Sequence, residues 1–233
     1  MKNKIKCENC NSENDYFKMN CSNCGSLLRD KYPNIDLFSS IWLLIETPSK
    51  ALKKIIYSDH KNYLLFLLVL LVSKLVLTSF FAQSVIIKPV EYQYYLSINF
   101  GIGFGIILAF ILLFPLLQKI VLKNRGILTR YKDNLAVLVF SQIPTILFLL
   151  ILLPIEFALF GKYWLFSNPS PFMMKETAAY AFSIMEILVF IWSLILLGIG
   201  NFIQSNSRVF AFFITILFLF ILIGLLLFIP YLG

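Results

Sequence analysis

The chain has 233 residues, of which 59% are hydrophobic and only 14% are charged. This composition lies far outside that of soluble globular domains and excludes an ordinary water-soluble fold. The formal net charge of +8 fits the lysine bias of cytoplasmic segments in a membrane protein, so it does not by itself require a polyanion as partner.

Residues 1–30 carry the most specific local signal, the pairs Cys7-x2-Cys10 and Cys21-x2-Cys24. Two residues between thiolates let one tight turn offer both sulfurs to a tetrahedral metal. Two disulfides or a redox pair are the alternatives, but the duplicated spacing explains all four cysteines at once. So short a stretch also has too little apolar surface to fold alone. The sequence predicts a structural zinc ribbon whose closed four-ligand site has no open position for catalysis.

Residues 31–62 read as a linker followed by two amphipathic helices on either side of Thr47-Pro48. The second helix has an apolar stripe, and lysines lie on its opposite face. We expect it to lie in the cytoplasmic interface, apolar side down, with anionic headgroups as partners of the lysines. The predicted membrane-interface residues are Trp42, Lys50, Lys53 and Lys54. The alternative is that the stripe, Ala51, Leu52, Ile55 and Ile56, packs on the loop between the second and third spans.

Residues 63–233 contain five apolar segments of about 20 residues, the length that crosses a bilayer. They are predicted at about 63–82, 97–117, 135–155, 178–198 and 209–229. The expected fold class is therefore an all-α integral membrane protein. A five-helix transmembrane bundle follows an interfacial amphipathic helix and a small N-terminal zinc ribbon.

Lysines and arginines predict the orientation of the spans. Ten of them precede the first span and five connect spans two and three, whereas the other connections carry one or two. The ten are Lys2, Lys4, Lys6, Lys18, Arg29, Lys31, Lys50, Lys53, Lys54 and Lys61; the five are Lys119, Lys123, Arg125, Arg130 and Lys132. By the positive-inside rule the N-terminus is cytoplasmic and the C-terminus is outside, in the plasma (inner) membrane if the source is prokaryotic. A cytoplasmic ribbon is a reduced one, which favours zinc over disulfides.

Two ionisable residues lie deep within the predicted spans, Lys74 in the first and Glu186 in the fourth. Counted from opposite membrane faces, both fall near the bilayer centre and can pair. The pair is either a structural bridge or part of a substrate or proton site. Pro144 predicts a kink in span three. Glu156 is expected near the outer end of that span, within reach of headgroups or water.

Several segments together resemble one known family. They are a basic lead-in with Trp42 and Pro48-Ser49-Lys50-Ala51-Leu52, then Phe140-Ser141-Gln142-Ile143-Pro144 in the third span, and Trp192 followed by Gly198 in the fourth. Residues 36–230 resemble the YIP family of Rab-interacting five-span membrane proteins and their prokaryotic relatives. The resemblance implies a protein without enzymatic activity. Eukaryotic members organise vesicle traffic with lipidated GTPases, and some bacterial relatives accompany ABC exporters. The Asp-Leu-Tyr-Gly-Pro signature of the eukaryotic members is absent, so a Rab-type GTPase is not the expected partner.

Two functions remain open. The first is a scaffold or accessory subunit whose ribbon docks on another membrane protein or complex, such as an ABC-type exporter. The second is a small transporter or channel subunit that uses Lys74 and Glu186. A transporter predicts a cavity at the level of this pair, whereas a scaffold predicts a closed bundle. Nucleic acid is not an expected partner, because the ribbon mixes its lysines with acidic residues and has no aromatic stacking platform.

Overall fold

A computed structural model of the chain describes residues 4–30, 32, 34–86, 96–166 and 169–229. Strands β1 (Lys4–Lys6) and β2 (Glu13–Asp15) pair antiparallel, with Ile5 opposite Asn14. Ten helices follow within the described ranges: α1 (Leu37–Glu46), α2 (Pro48–Tyr57), α3 (Leu64–Ile86), α4 (Leu96–Asn124), α5 (Tyr131–Ser141), α6 (Ile143–Phe160), α7 (Tyr163–Phe166), α8 (Pro171–Met174), α9 (Glu176–Ser205) and α10 (Arg208–Phe228).

Five helical stretches are long and apolar enough to cross a membrane, which confirms the predicted all-α, five-span membrane protein. They are Leu64–Ala82, Ile98–Asn124, Tyr131–Phe160, Glu176–Ser205 and Arg208–Phe228. The second and fourth run seven residues beyond their predicted C-terminal ends. The third is interrupted at Gln142, two residues before Pro144. Proline lacks a backbone donor and its ring crowds the preceding helical turn, so Pro144 is compatible with the first turn of α6 and accounts for the break just before it.

The orientation of these spans in the membrane can be tested by labelling introduced cysteines. A cysteine introduced at Met173, which is 84% exposed on α8, should react with a membrane-impermeant thiol reagent added outside. A cysteine at Asn124, the last residue of α4, should react only after the membrane is permeabilised. The physical reason is the excess of lysine and arginine flanking Asn124. The reverse pattern would contradict the predicted cytoplasmic location of the ribbon.

The chain forms two compact units. Unit 1 comprises Met1–Leu65, Leu112–Ser141 and Leu196–Ile216, and unit 2 comprises Phe66–Ile111, Gln142–Ile195 and Leu217–Gly233. In unit 1, helix α5 lies at the centre, since its side chains from Asp133 to Ser141 are all buried. Helix α2 packs against α5 and against α1.

The apolar stripe of α2 is buried in protein and does not face the bilayer. Ala51, Leu52, Ile55 and Ile56 are at most 1% exposed, and the helix packs on α5. The expected lipid contact of this stripe is therefore wrong. The packing alternative agrees better with the structure: the helix packs on α5 at the start of the third span, and Arg130 of the preceding loop donates to the Ile56 carbonyl at 3.2 Å. An exposed apolar stripe lies instead on α1, where Phe38, Trp42 and Ile45 are 83%, 63% and 61% exposed.

Two glycines of α9 in unit 1 differ sharply in their surroundings. A Cβ atom at Gly200 would lie 2.4 Å from Cγ1 of Val137 on α5, whereas one at Gly198 would meet nothing closer than Oγ1 of Thr215 at 3.8 Å. We expect Gly200→Ala to destabilise the protein by about 1–3 kcal/mol through overpacking. Gly198→Ala, the matched control, should be neutral or stabilising by up to about 1 kcal/mol, because alanine favours the helix. Unfolding in detergent micelles measures both, and equal effects would contradict the close α5–α9 contact.

Candidate metal centre and intramembrane polar site

The four cysteines of the ribbon form a compact cluster, with all four Sγ atoms within 4.8 Å of one another. Cys7 Sγ lies 3.5 Å from Cys24 Sγ, and Cys10 Sγ lies 3.5 Å from Cys21 Sγ. A zinc–sulfur distance of about 2.3 Å sets sulfur–sulfur separations of about 3.8 Å in a tetrahedron. The donor set and its spacing therefore fit one tetrahedral metal ion, with Zn²⁺ as the ion that four thiolates favour.

The two Cys-x2-Cys turns have the same local structure. In the first, the Cys7 N–H donates to the Ser12 carbonyl at 3.0 Å, and in the second the Cys21 N–H donates to the Ser26 carbonyl at 2.8 Å. The residue after the second cysteine has positive φ in each turn, 57° at Asn11 and 73° at Gly25. Asparagine and glycine are the residues that adopt this conformation most readily. The repeated spacing thus encodes a repeated backbone that points two sulfurs at one centre.

Two serines that the sequence reasoning missed surround the sulfurs. The Ser12 hydroxyl lies 3.0 Å from Sγ of both Cys10 and Cys21, and the Ser26 hydroxyl lies 3.0 Å from Sγ of both Cys7 and Cys24. The signal was present, since each serine follows its turn in the pattern Cys-x2-Cys-x-Ser. The hydrogen bond from Ser12 is the largest influence that lowers the pKa of the Cys21 thiol to about 5. This environment favours the thiolate, the form that binds metal.

The ribbon is fixed to the rest of unit 1 through Arg29. Its guanidinium donates to the Phe17 carbonyl in the ribbon at 2.8 Å and to the Tyr57 carbonyl at the end of α2 at 2.9 Å. It also lies 4.6 Å from the centroid of the Tyr57 ring. On the other side, Arg130 stacks over the Phe17 ring at 5.8 Å. The ribbon is therefore an integral part of unit 1 and not a loosely tethered module.

A buried ionic cluster at the start of α5 supports the same attachment of the ribbon to the rest of unit 1. Asp133 is fully buried, accepts two hydrogen bonds from Arg130 at 2.7 and 3.1 Å, and lies 3.0 Å from the Lys61 ammonium. Lys61 also donates to the Ile56 and Ser58 carbonyls at 2.9 Å. It thereby provides a donor for carbonyl groups at the C-terminal end of α2, which lack partners within the helix. Burial lowers the pKa of Lys61, and the Asp133 carboxylate opposes that effect. Sequence reasoning missed this cluster, because its members come from separate segments.

The predicted interfacial lysines are placed on a concave surface of unit 1. Lys50, Lys53 and Lys54 line a cavity of about 430 Å³ together with Arg29 and Tyr57. Trp42 is not part of this cavity and lies exposed on α1. The predicted membrane-interface residues therefore occupy two different places, a basic hollow and an apolar stripe.

In unit 2, the ammonium of Lys74 on α3 is paired with the carboxylate of Glu186 on α9. The Lys74 side chain is 5% exposed and that of Glu186 is 22% exposed. Both residues line a cavity of about 500 Å³ whose other walls are mainly apolar and aromatic. The two charges that the sequence placed near the bilayer centre thus meet at the edge of a space large enough for a small ligand.

Glu156 on α6 is fully buried, contrary to the expectation that it reaches headgroups or water. Neither of its oxygens has a hydrogen-bond partner among the residues that the structure describes. The indole of Trp164 on α7 approaches the carboxyl group without a hydrogen bond of ordinary geometry. Trp164 packs between Phe81 and Phe160, with ring centroids 4.6 and 5.0 Å away. Glu156 thus lies one helical turn before Phe160, which belongs to this aromatic cluster.

A second polar cluster, also missed from the sequence, lies in unit 1. The Gln118 amide on α4 donates to the side-chain oxygens of Asn201 and Gln204 on α9, at 2.9 and 3.0 Å. Asn201 in turn donates to the Thr215 hydroxyl on α10 at 3.1 Å. The four side chains are at most 9% exposed. Amide networks of this kind hold apolar helices together where the hydrophobic effect does not distinguish protein from lipid.

No family model, curated protein or solved structure matches this chain.

Proposed function

We propose that this protein is a non-enzymatic integral membrane protein whose ribbon and first two helices form a fixed docking module for another membrane protein or complex. The observation that carries the proposal is that both Arg29 and Arg130 attach the ribbon to the rest of unit 1. A module held at both sides presents its outer surface in one orientation, which lowers the entropic cost of binding a partner. The four-thiolate centre has no open coordination position, so its role is structural.

The surroundings of the module support a place at the cytoplasmic membrane surface. Helix α1 offers the bilayer interface an exposed apolar stripe, made of Phe38, Trp42 and Ile45. The cavity of about 430 Å³ offers positive charge to anionic headgroups through Lys50, Lys53 and Lys54. The resemblance to the YIP family agrees with an accessory role beside a membrane complex, for which an ABC-type exporter is one candidate. The plasma membrane of a prokaryote is the proposed location.

Site-specific cross-linking in native membranes tests the docking module. A photoreactive residue at Leu27, which is 64% exposed on the ribbon, should give one dominant adduct with another membrane protein. The same group at Lys123, an exposed residue of unit 1 outside the ribbon, is the matched control. Cys21→Ser should abolish the adduct at Leu27 because the ribbon then loses its metal. Adducts of equal yield at both positions, or none at Leu27, would contradict docking through the ribbon.

A second candidate function is a small transporter or channel subunit, and one observation favours it. The Lys74–Glu186 pair lies on the wall of a cavity of about 500 Å³, which a transporter predicts and a closed scaffold does not. The two functions involve different units and are compatible in one protein. Binding of a small molecule in this cavity is the property that distinguishes the second function from the first.

A further inference from the structure

The cavity of about 430 Å³ in unit 1 is lined by four cationic side chains from two separate elements. Lys50, Lys53 and Lys54 come from α2, and Arg29 comes from the ribbon. The acidic residue that lines the cavity is Asp30, so the wall carries four positive charges against one negative charge. The volume is within the range of sites for small ligands. The cavity therefore has both the size and the charge of a site for an anion.

The three lysines of α2 are not neutralised by protein carboxylates. None of them takes part in the ion pairs formed among the residues that the structure describes. Lys50 and Lys54 are also one helical turn apart, a spacing at which like charges destabilise a helix. Lysines on a solvated helix face commonly tolerate this repulsion. Here, however, the same cavity wall also receives the charge of Arg29 from another element.

Arg29 supplies a positive charge whose position is fixed by the fold. Its guanidinium donates to the Phe17 carbonyl of the ribbon at 2.8 Å and to the Tyr57 carbonyl of α2 at 2.9 Å. It also lies 4.6 Å from the centroid of the Tyr57 ring, and Tyr57 itself lines the cavity. All these partners are uncharged, so they hold the guanidinium without neutralising it. The folded ribbon thus keeps one cation at the wall, beside three flexible lysine side chains.

We propose that this cavity binds a phosphate monoester, a group that carries close to two negative charges at neutral pH. The inference rests on the proposed function, which places unit 1 at the membrane surface, and it names the group bound there. Three terminal oxygens suit several lysine ammonium groups beside a fixed guanidinium. A phosphodiester has one negative charge per phosphate and would leave more of the positive charge uncompensated. The same monoester group occurs in lipid headgroups and in soluble phosphate esters.

Arg29 makes this site depend on the ribbon. The same guanidinium attaches the ribbon to α2 and lines the cavity. A bound phosphate stabilises the arrangement in which Arg29 lies at the wall. Occupation of the cavity and folding of the ribbon should therefore favour each other, because coupling between two sites is reciprocal. A chain whose ribbon is unfolded should bind the phosphate less tightly.

Three probes distinguish the phosphate classes and their sources. Dioctanoyl phosphatidic acid is a lipid monoester, dioctanoyl phosphatidylglycerol is a lipid diester and glycerol 1-phosphate is a soluble monoester. Titration calorimetry measures their binding to the purified full-length protein in a non-ionic detergent, with protein-free micelles as blank, at about pH 8 so that the monoesters are doubly charged. We expect the phosphatidic acid to bind at least about tenfold more tightly than the phosphatidylglycerol.

The soluble probe identifies the source of the phosphate. If glycerol 1-phosphate binds within about threefold of the phosphatidic acid, the phosphate group alone is recognised and a soluble ester is sufficient. If it binds much more weakly, the site is one for a lipid headgroup. Both results support the phosphate site, whereas saturable binding of neither monoester would overturn it.

Variants connect the binding to the named cations. Lys50→Gln combined with Lys54→Gln removes two charges from the cavity and should weaken binding of the phosphatidic acid at least about tenfold. Lys119→Gln combined with Lys123→Gln is the matched control, because these exposed lysines of unit 1 are also one helical turn apart but do not line the cavity. This control should change the affinity by less than about twofold. Cys21→Ser should weaken binding at least about threefold, because an unfolded ribbon no longer holds Arg29 at the wall.

Each other outcome overturns a defined part of the proposal. Equal affinities for the phosphatidic acid and the phosphatidylglycerol would overturn the preference for a doubly charged phosphate. Equal weakening by the two double variants would show a general effect of surface charge and overturn the site. Full binding by Cys21→Ser would overturn the dependence on the ribbon. If no phosphate binds while the cross-link at Leu27 persists, the inference fails and the docking function stands; phosphate binding without that cross-link would refute docking alone.

Discussion

Removal of the metal is expected to unfold residues 4–30 and to leave the transmembrane spans folded. The ribbon has two three-residue strands and little apolar surface of its own, so its fold depends on metal binding worth roughly 10–16 kcal/mol in zinc-finger peptides. Protein purified under reducing conditions without chelator should contain about one zinc ion per chain. A strong chelator, or the substitution Cys21→Ser, should abolish protection of the ribbon amides from hydrogen exchange.

Because Arg29 attaches the ribbon to α2, unfolding of the ribbon should also be detectable outside it. Arg29 loses its acceptor at the Phe17 carbonyl when the ribbon unfolds, so amides near Tyr57 should also exchange faster. Asn9→Ala, at an exposed position in the first turn, is the matched control and should keep both zinc and protection. Zinc-free protein with a protected ribbon, or disulfides found among the four cysteines in protein from reducing conditions, would rule out the metal centre.

Neutralising either member of the Lys74–Glu186 pair is expected to cost about 3–5 kcal/mol of stability, because the remaining charge is left without its partner in an apolar environment. Lys74→Met and Glu186→Gln together should cost less than either single change, since no charge then remains at the pair. Unfolding by SDS titration of protein in micelles gives the three free energies, and their non-additivity measures the coupling.

Lys162→Met and Glu176→Gln provide the matched control pair, since both positions are exposed in unit 2. These changes should each alter stability by less than about 0.5 kcal/mol and should add. Additive behaviour of Lys74→Met and Glu186→Gln would show that the ion pair does not stabilise the fold. Normal stability with lost cellular activity would then favour transport over docking.

Sequence patterns predicted the features that depend on the spacing of residues along the chain or on their depth in the bilayer. The Cys7-x2-Cys10 and Cys21-x2-Cys24 turns are local, so their geometry follows from a few residues. Hydropathy over about 20 residues fixes the number of spans because the bilayer has a fixed thickness. The meeting of Lys74 with Glu186 followed from their similar depth, since a buried charge needs a partner.

Features that depend on which apolar surfaces pack against each other could not be predicted from the sequence. The stripe of α2 is equally compatible with lipid and with protein, because amphipathicity does not identify the apolar partner. Depth counting placed Glu156 near water, whereas the structure buries it fully, one helical turn before the aromatic cluster of Phe160 and Trp164. The Lys61–Asp133 contact joins residues far apart in the chain, and no periodic pattern connects them.

The two serine hydroxyls have a consequence for how the ribbon loads its metal. Ser12 follows the first turn yet contacts Cys21 of the second, and Ser26 follows the second turn yet contacts Cys7 of the first. Each crossed contact can therefore form only when both turns are in place. A chain holding a metal ion by two thiolates would lack both crossed contacts and would gain little over the metal-free state. Loading should accordingly proceed in a single step, with half-liganded chains almost absent at any metal concentration, so that the surface of the ribbon, on which the proposed docking depends, is either complete or not present at all.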